Sequence, residues 1–263
     1  MSRSRTRITW MHIASFALAT AVCYVLAVFA VIAAPVPPAP GVSALYIAAA
    51  VYVPLAIWMG MWGCLAGYLS CFFLGLVPSG YSPLFSFVWS WCDFLEGLMP
   101  LLFFRLLRID PDFSVKKPKF VKVMAPLVVT GAGLVIIGAL INHYLGVFGH
   151  PFTTIALALM YCGIVLAIVG IIIGALVGDV KTWVTYIVSG IVLASLVSGL
   201  WGAGTLCLIP GLSPLYGKAP FTIVFTGWVI GDMIVLSTIG TALLVTLTPL
   251  IKRTPIYVRG WFS

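Results

Sequence analysis

Between Ile8 and Leu250 the chain is a succession of apolar runs, each 18 to 31 residues long, parted by short polar or proline- and glycine-rich breaks. No soluble core calls for so many such runs. A helix crossing a bilayer needs about 20 apolar residues, because backbone groups in hydrocarbon must bond within their own segment. A transmembrane barrel would alternate apolar and polar positions, and none of these runs does. The fold class expected is therefore all-α: a polytopic membrane helix bundle. Composition agrees, with 62% hydrophobic residues, 8% charged residues and a mean hydropathy of +1.19.

The runs are 8–34, 42–59, 60–77, 84–107, 121–145, 152–178, 182–208 and 220–250. Residues 42–77 are too long for one crossing, since 36 helical residues at about 1.5 Å each extend far past a core of about 30 Å. A turn at Trp58-Met59-Gly60, supplied by the glycine, divides them. The Arg-rich start and long first run are read as a retained span rather than a cleaved signal, because 8–34 exceeds a signal core and proline follows Ala33-Ala34.

The formal charge of +8 first suggests a nucleic-acid partner, but its placement argues against one. Twelve of the fourteen basic residues form three clusters: Arg3, Arg5, Arg7; Arg105, Arg108, Lys116, Lys117, Lys119, Lys122; and Lys252, Arg253, Arg259. Clusters beside apolar spans mark cytoplasmic loops. An even number of crossings must then separate successive clusters. Four and four satisfy this, giving eight spans in a cell (cytoplasmic) membrane with both termini cytoplasmic, among lipids and with no nucleic acid.

The two halves, 1–110 and 111–263, repeat landmarks at a constant offset of 139 residues: Trp62-Gly63 with Trp201-Gly202, Trp89 with Trp228, and Asp93 with Asp232. A proline-rich turn precedes the last span of each half. A parallel 4+4 internal repeat is expected.

Three of the six acidic residues, Asp93, Glu96 and Asp232, stand inside apolar runs. Each costs about 2.5–3.5 kcal/mol at the bilayer centre, so they must face the bundle interior or a water-filled cavity. In each half a Trp-x-x-x-Asp spacing puts Trp89 beside Asp93, and Trp228 beside Asp232, one helical turn apart. Glu96 shares the face of Asp93. No lysine or arginine lies at matching depth, which leaves protonation or an external cation to balance them. Two readings stay open: neutral carboxyls joining helices, or a ligand-binding site of Asp93, Glu96, Asp232, Trp89 and Trp228. The tryptophans favour flat or cationic organic ligands through stacking and cation–π attraction.

Tryptophans 58, 62 and 183 are covered by the ordinary preference of indoles for the membrane interface. The scattered cysteines lack C-x-x-C spacing and read as small packing residues; no disulfide, metal or cofactor is expected. Small-residue stripes, among them Ala44-x-x-x-Ala48, Gly63-x-x-x-Gly67 and the 170–178 glycines, suit close helix packing, and Ala17-x-x-x-Ala21 on the first span suits docking of a partner.

WMGMWGCLAGYLSCFFLG followed by SPLFSFVWSWCDFLEGLMPLLFFRLL resembles the membrane-embedded S components of energy-coupling-factor transporters. Those pair a Gly-rich span with an acid-bearing span that ends in a basic cytoplasmic turn. The resemblance covers 58–108 and implies a substrate-binding uptake subunit for a small, vitamin-like or cationic molecule. It also implies a transmembrane coupling protein meeting Ala17 and Ala21, and separate ATPase subunits. No G-x-x-x-x-G-K-[ST] is present, so nucleotide hydrolysis would belong to those partners. Six spans are usual there, against eight here. GWVIGDMIVLSTIGTALLVTLTP is also similar to the last span of eight-helix bacterial sensor domains, although no soluble module follows Ser263. That similarity keeps a structural or sensory subunit as the alternative. An enzyme is not expected: there is no nucleophile elbow, His cluster or H-E-x-x-H, and Gly231-Asp232 matches an intramembrane aspartyl pair only in part.

Overall fold

The computed structural model describes residues 9–36, 39–113, 118–146 and 149–262. Arg3, Arg5, Arg7, Lys116 and Lys117 lie outside them, as do the side chains of Lys119 and Lys122.

Among the described residues the protein is all-α apart from one two-stranded ribbon. Its elements are α1 (Trp10–Ala33), β1 (Pro35–Val36), β2 (Ala39–Ser43), α2 (Ala49–Met59), α3 (Met61–Leu76), α4 (Pro83–Trp89) and α5 (Trp91–Leu106). They continue with α6 (Pro118–Leu145), α7 (His150–Val177), α8 (Val180–Cys207) and α9 (Phe221–Ile251). Among the described residues six helices are long and apolar enough to cross a membrane: α1, α4 with α5, α6, α7, α8 and α9. Two apolar helices, α2 and α3, are shorter, at 11 and 16 residues.

Local chemistry starts and stops these elements. Thr9 caps α1, its hydroxyl 2.9 Å from His12 Nδ1, and that nitrogen in turn accepts from the Thr9 amide at 3.2 Å. Ser82 caps α4, accepting from the Phe85 amide at 3.2 Å, with Pro83 at the first helical position. Asp179 caps α8 in the same way through the Thr182 amide. Such caps satisfy amides that the first turn leaves without partners.

Gly60 breaks the 42–77 run where the sequence suggests. Its φ of +65° is open to glycine and strained for other residues, and α3 folds back onto α2 there. A Cβ on Gly63 would run into the Leu55–Ala56 backbone, and one on Gly67 into the ring of Tyr52, so the stripe is an internal packing surface. The first part of the run differs from expectation. Residues 39–43 pair antiparallel with β1, and the helix starts only at Ala49. The helix gives way there because Pro35, Pro40 and Gly41 interrupt the sequence before α2.

One end of the bundle gathers chain segments far apart in sequence. Phe16 and Trp62 are 5.6 Å apart between ring centroids. The Trp58 carbonyl accepts from the Val258 amide, and the Trp261 carbonyl from the Met61 amide, both at 2.8 Å. Arg105 donates to the carbonyls of Ile57, Val258 and Gly260. Lys252 pairs with Asp110 at 2.8 Å, and Thr182 donates to the Asp110 carbonyl. The β1–β2 ribbon and the 77–82 turn stand together elsewhere, where a Cβ on Gly41 would meet Ser79 and Trp89.

Trp183, near the start of α8, is packed within the protein. It is fully buried, edge-on to Phe113 at 5.4 Å, with Gly174 and Gly178 against its indole. The glycine stripe on α7 makes room for its indole.

Candidate functional site

Asp93, Glu96 and Asp232 have no exposed surface. The first two lie on α5, three residues apart, and Asp232 on α9. Glu96 and Asp232 are electrostatic neighbours, and Asp93 acts on both. The structure thus brings the three carboxyls into one interior centre and turns none of them toward lipid.

Tyrosines serve two of them. The Tyr46 hydroxyl donates to Asp93 Oδ2 at 2.9 Å, and the Tyr52 hydroxyl donates to Glu96 Oε2 at 2.5 Å. Cys92 Sγ donates to Asp93 Oδ1 at 3.3 Å. Glu96 Oε1 and both oxygens of Asp232 make no hydrogen bond of standard geometry among the described residues, although Ser198 lies close to Glu96, Trp228 lies close to Asp232, and the two carboxyls lie close to each other. No lysine or arginine reaches the centre among those residues. A buried polar atom left without a partner costs about 1–3 kcal/mol, and more if charged. Three such atoms in one place need a proton, a water or a cation.

Helix irregularity helps to place Asp232. One turn beyond it, Leu236–Gly240 form a π-helical turn, which leaves the Leu236 carbonyl without its ordinary partner. Tyr186 and Thr241 hydroxyls donate to that carbonyl at 2.8 and 3.0 Å. The Thr241 amide donates to it as well, across the π turn, so the carbonyl is fully served in apolar surroundings.

The two tryptophans expected at the site meet each other. Trp89 is edge-on to Trp228, with centroids 6.0 Å apart. Trp228 donates to Ser198 Oγ at 3.1 Å, while Trp89 Nε1 has no partner. Both rings are buried and stand over the carboxyls on the side of the ribbon. Gly41, Val42 and Ser43 of β2, with Trp89, Trp228, Tyr46, Cys71 and Asp93, line a cavity with room for about one water. The ribbon closes it: a Cβ on Gly231 would collide with the Ala44 carbonyl, and one on Gly227 would touch Val36. A larger cavity of about 460 Å³ lies at the other place where charges gather, lined by Arg105, Arg108, Lys252, Arg259 and Asp110. It does not touch the acid centre.

Tyr46 and Tyr52 are site residues that sequence reasoning missed. Their signal was weak, because a tyrosine in an apolar run usually marks an interface. The cysteine reading missed a pair as well. Cys71 on α3 and Cys92 on α5 have sulfurs 3.8 Å apart. These sulfurs and a carboxylate oxygen of Asp93 all fall within 4.8 Å of one another, so this is where a metal could be held. Ala17 and Ala21 are exposed on α1, away from the centre.

No protein-family model, curated protein or solved structure matches the chain.

Proposed function

We propose that the protein is a membrane subunit that binds a small organic cation at the Asp93–Glu96–Asp232 centre, in the manner of an uptake component energised by partner chains. The observation that carries this reading is the set of three carboxyl oxygens, on Glu96 and Asp232, buried without a hydrogen bond of standard geometry among the described residues. A cationic group entering between α5 and α9 supplies what they lack, and Trp89 and Trp228 offer aromatic faces once they part. The small cavity belongs to a closed state. Binding then requires the β1–β2 ribbon, the element that covers the tryptophans, to move.

The topology proposed with it has eight crossings in the cell membrane and both termini in the cytoplasm. In it the strand 39–43, the turn 44–48 and α2 share one crossing, and α3 makes the next. The gathering of Gly60, Arg105, Asp110, Thr182 and the 252–262 tail at one end supports that alternation, since each then lies on the basic side. The parallel 4+4 repeat rests on the constant 139-residue offset between Trp89, Asp93 and Trp228, Asp232, and the two tryptophans meet edge-on. Ala17 and Ala21, exposed on α1, are the proposed docking stripe for a coupling protein that recruits ATPase subunits.

A second reading, a structural or sensory subunit without transport, is favoured by the tyrosine bonds to Asp93 and Glu96, which already knit α5 to residues 46–52. Native mass spectrometry of gently extracted protein separates the two. Bound organic cation in the wild type and its loss in Asp232→Asn, with an unchanged melting temperature, supports the binding subunit. Identical spectra for both proteins, free of any ligand mass, supports the structural one.

A further inference from the structure

Of the six cysteines, Cys71 and Cys92 are the two whose sulfurs meet among the described residues, and they do so beside a carboxylate. Their separation of 3.8 Å is far beyond the S–S bond of about 2.05 Å, so they are not a disulfide. It matches another geometry. An ion held tetrahedrally by two thiolates at about 2.3 Å sets the sulfurs about 3.8 Å apart, and a carboxylate oxygen at about 2.0 Å lies about 3.5 Å from each. Cys92 Sγ to Asp93 Oδ1 is 3.3 Å.

The surroundings are those of a prepared ligand set. Asp93 Oδ2 is fixed by the Tyr46 hydroxyl, which orients the other oxygen toward the sulfurs. The three residues come from two helices that pack together, and none has exposed surface beyond 1%. Cys71 and Asp93 also line the cavity with room for about one water, which provides a fourth ligand position.

We propose that Cys71, Cys92 and Asp93 bind a thiophilic metal ion of the zinc class, with water completing the tetrahedron. Soft sulfur ligands select such ions over Mg²⁺ and Ca²⁺. Binding of M²⁺ replaces the two thiol protons, which leave to solvent, and no oxidation or reduction is involved. The site shares Asp93 with the proposed cation centre, whereas Cys71 and Cys92 take no part in that centre, so the cysteine variants test the metal site alone.

The test is a titration of the purified, reduced, metal-stripped full chain with Cd²⁺ alone, read by the ultraviolet thiolate-to-metal charge-transfer band. One Cd²⁺ per chain is expected. Cys71→Ser and Cys92→Ser should each weaken binding about 100-fold or more, and Asp93→Asn about 10-fold or more. Cys64→Ser should leave the titration unchanged. X-ray absorption of Cd²⁺-loaded wild type, which needs no variant to fold, should count two sulfur neighbours per ion. No band in the wild type, a band that survives both serine variants, or fewer than two sulfur neighbours overturns the site.

Discussion

Tyr52 and Glu96, 44 residues apart, are joined by a 2.5 Å hydrogen bond from the phenol to Oε2, and neither has exposed surface. The bond ties α2, the short helix, to α5, the helix that carries two of the three interior acids. Tyr52→Phe keeps the ring that packs against Gly67 and removes only the donor. Glu96 then loses the one hydrogen bond of standard geometry it makes among the described residues. A loss of about 1–3 kcal/mol follows, read as a lower unfolding midpoint in detergent. An unchanged midpoint would show that the bond contributes nothing to holding α2 in place.

The ribbon rests on α9 through Gly231, whose missing side chain leaves room for the Ala44 carbonyl. In Gly231→Ala the new methyl meets backbone, which cannot rotate away, so residues 39–44 must shift. Overpacking of this kind costs about 1–3 kcal/mol. Because the ribbon covers the cavity that Cys71 lines, the native thiol is its own reporter. Faster labelling of Cys71 by a small thiol reagent is expected in Gly231→Ala than in the wild type. Equal rates would mean that the ribbon does not govern access to the centre.

Arg105 reads in the sequence as one more member of a basic loop, yet its guanidinium is spent on carbonyls of Ile57, Val258 and Gly260, the closest at 2.6 Å. It fastens the 257–262 segment over the Gly60 turn, where the Trp261 carbonyl accepts from Met61. Hydrogen bonds from a charged donor contribute about 1.5–3 kcal/mol each when partly buried. Arg105→Met keeps the aliphatic stem and loses the fork. Limited proteolysis should then clip the chain after Lys252 or Arg253 at least several-fold faster, an effect absent if the tail is held mainly by its apolar contacts.

Much of this arrangement was legible from residue order. Apolar run lengths gave the membrane bundle, Gly60 gave the break between α2 and α3, and the four-residue spacings put Trp89 with Asp93 and Trp228 with Asp232. The helical period carried all of these, because it acts within a few residues. What stayed hidden depends on contacts between distant segments. Tyr46 and Tyr52 lie 47 and 44 positions from their carboxyls, and Cys71 lies 21 from Cys92. No local pattern encodes such a meeting. The β1–β2 ribbon was missed because its prolines and glycine signal a loop, and only burial against Trp89 and α9 fixes it as a strand pair. The packing of Trp183 was hidden because its recess is made by Gly174 and Gly178 on another helix, α7.

Tyr257 gives a pH dependence at the basic end, outside the spans. Partial burial, then Asp110 close by, pushes its phenol up to about 12, while Arg105 and Arg259 pull the other way. Its hydroxyl is 3.4 Å from Asp110 Oδ1, a contact at the long limit of hydrogen bonding. An unfolded tyrosine releases its proton near about 10. Between those values the folded chain holds a proton that the unfolded chain has lost, so stability falls as pH rises. The contribution is present in full below about pH 10 and is gone above about 12. Tyr257→Phe cannot ionise and should lose midpoint less steeply than the wild type across that window, with parallel behaviour of the two proteins below it. Superimposable alkaline profiles would mean that Tyr257 titrates in the folded protein as it does in the unfolded one, and that Asp110 holds the tail through Lys252 alone.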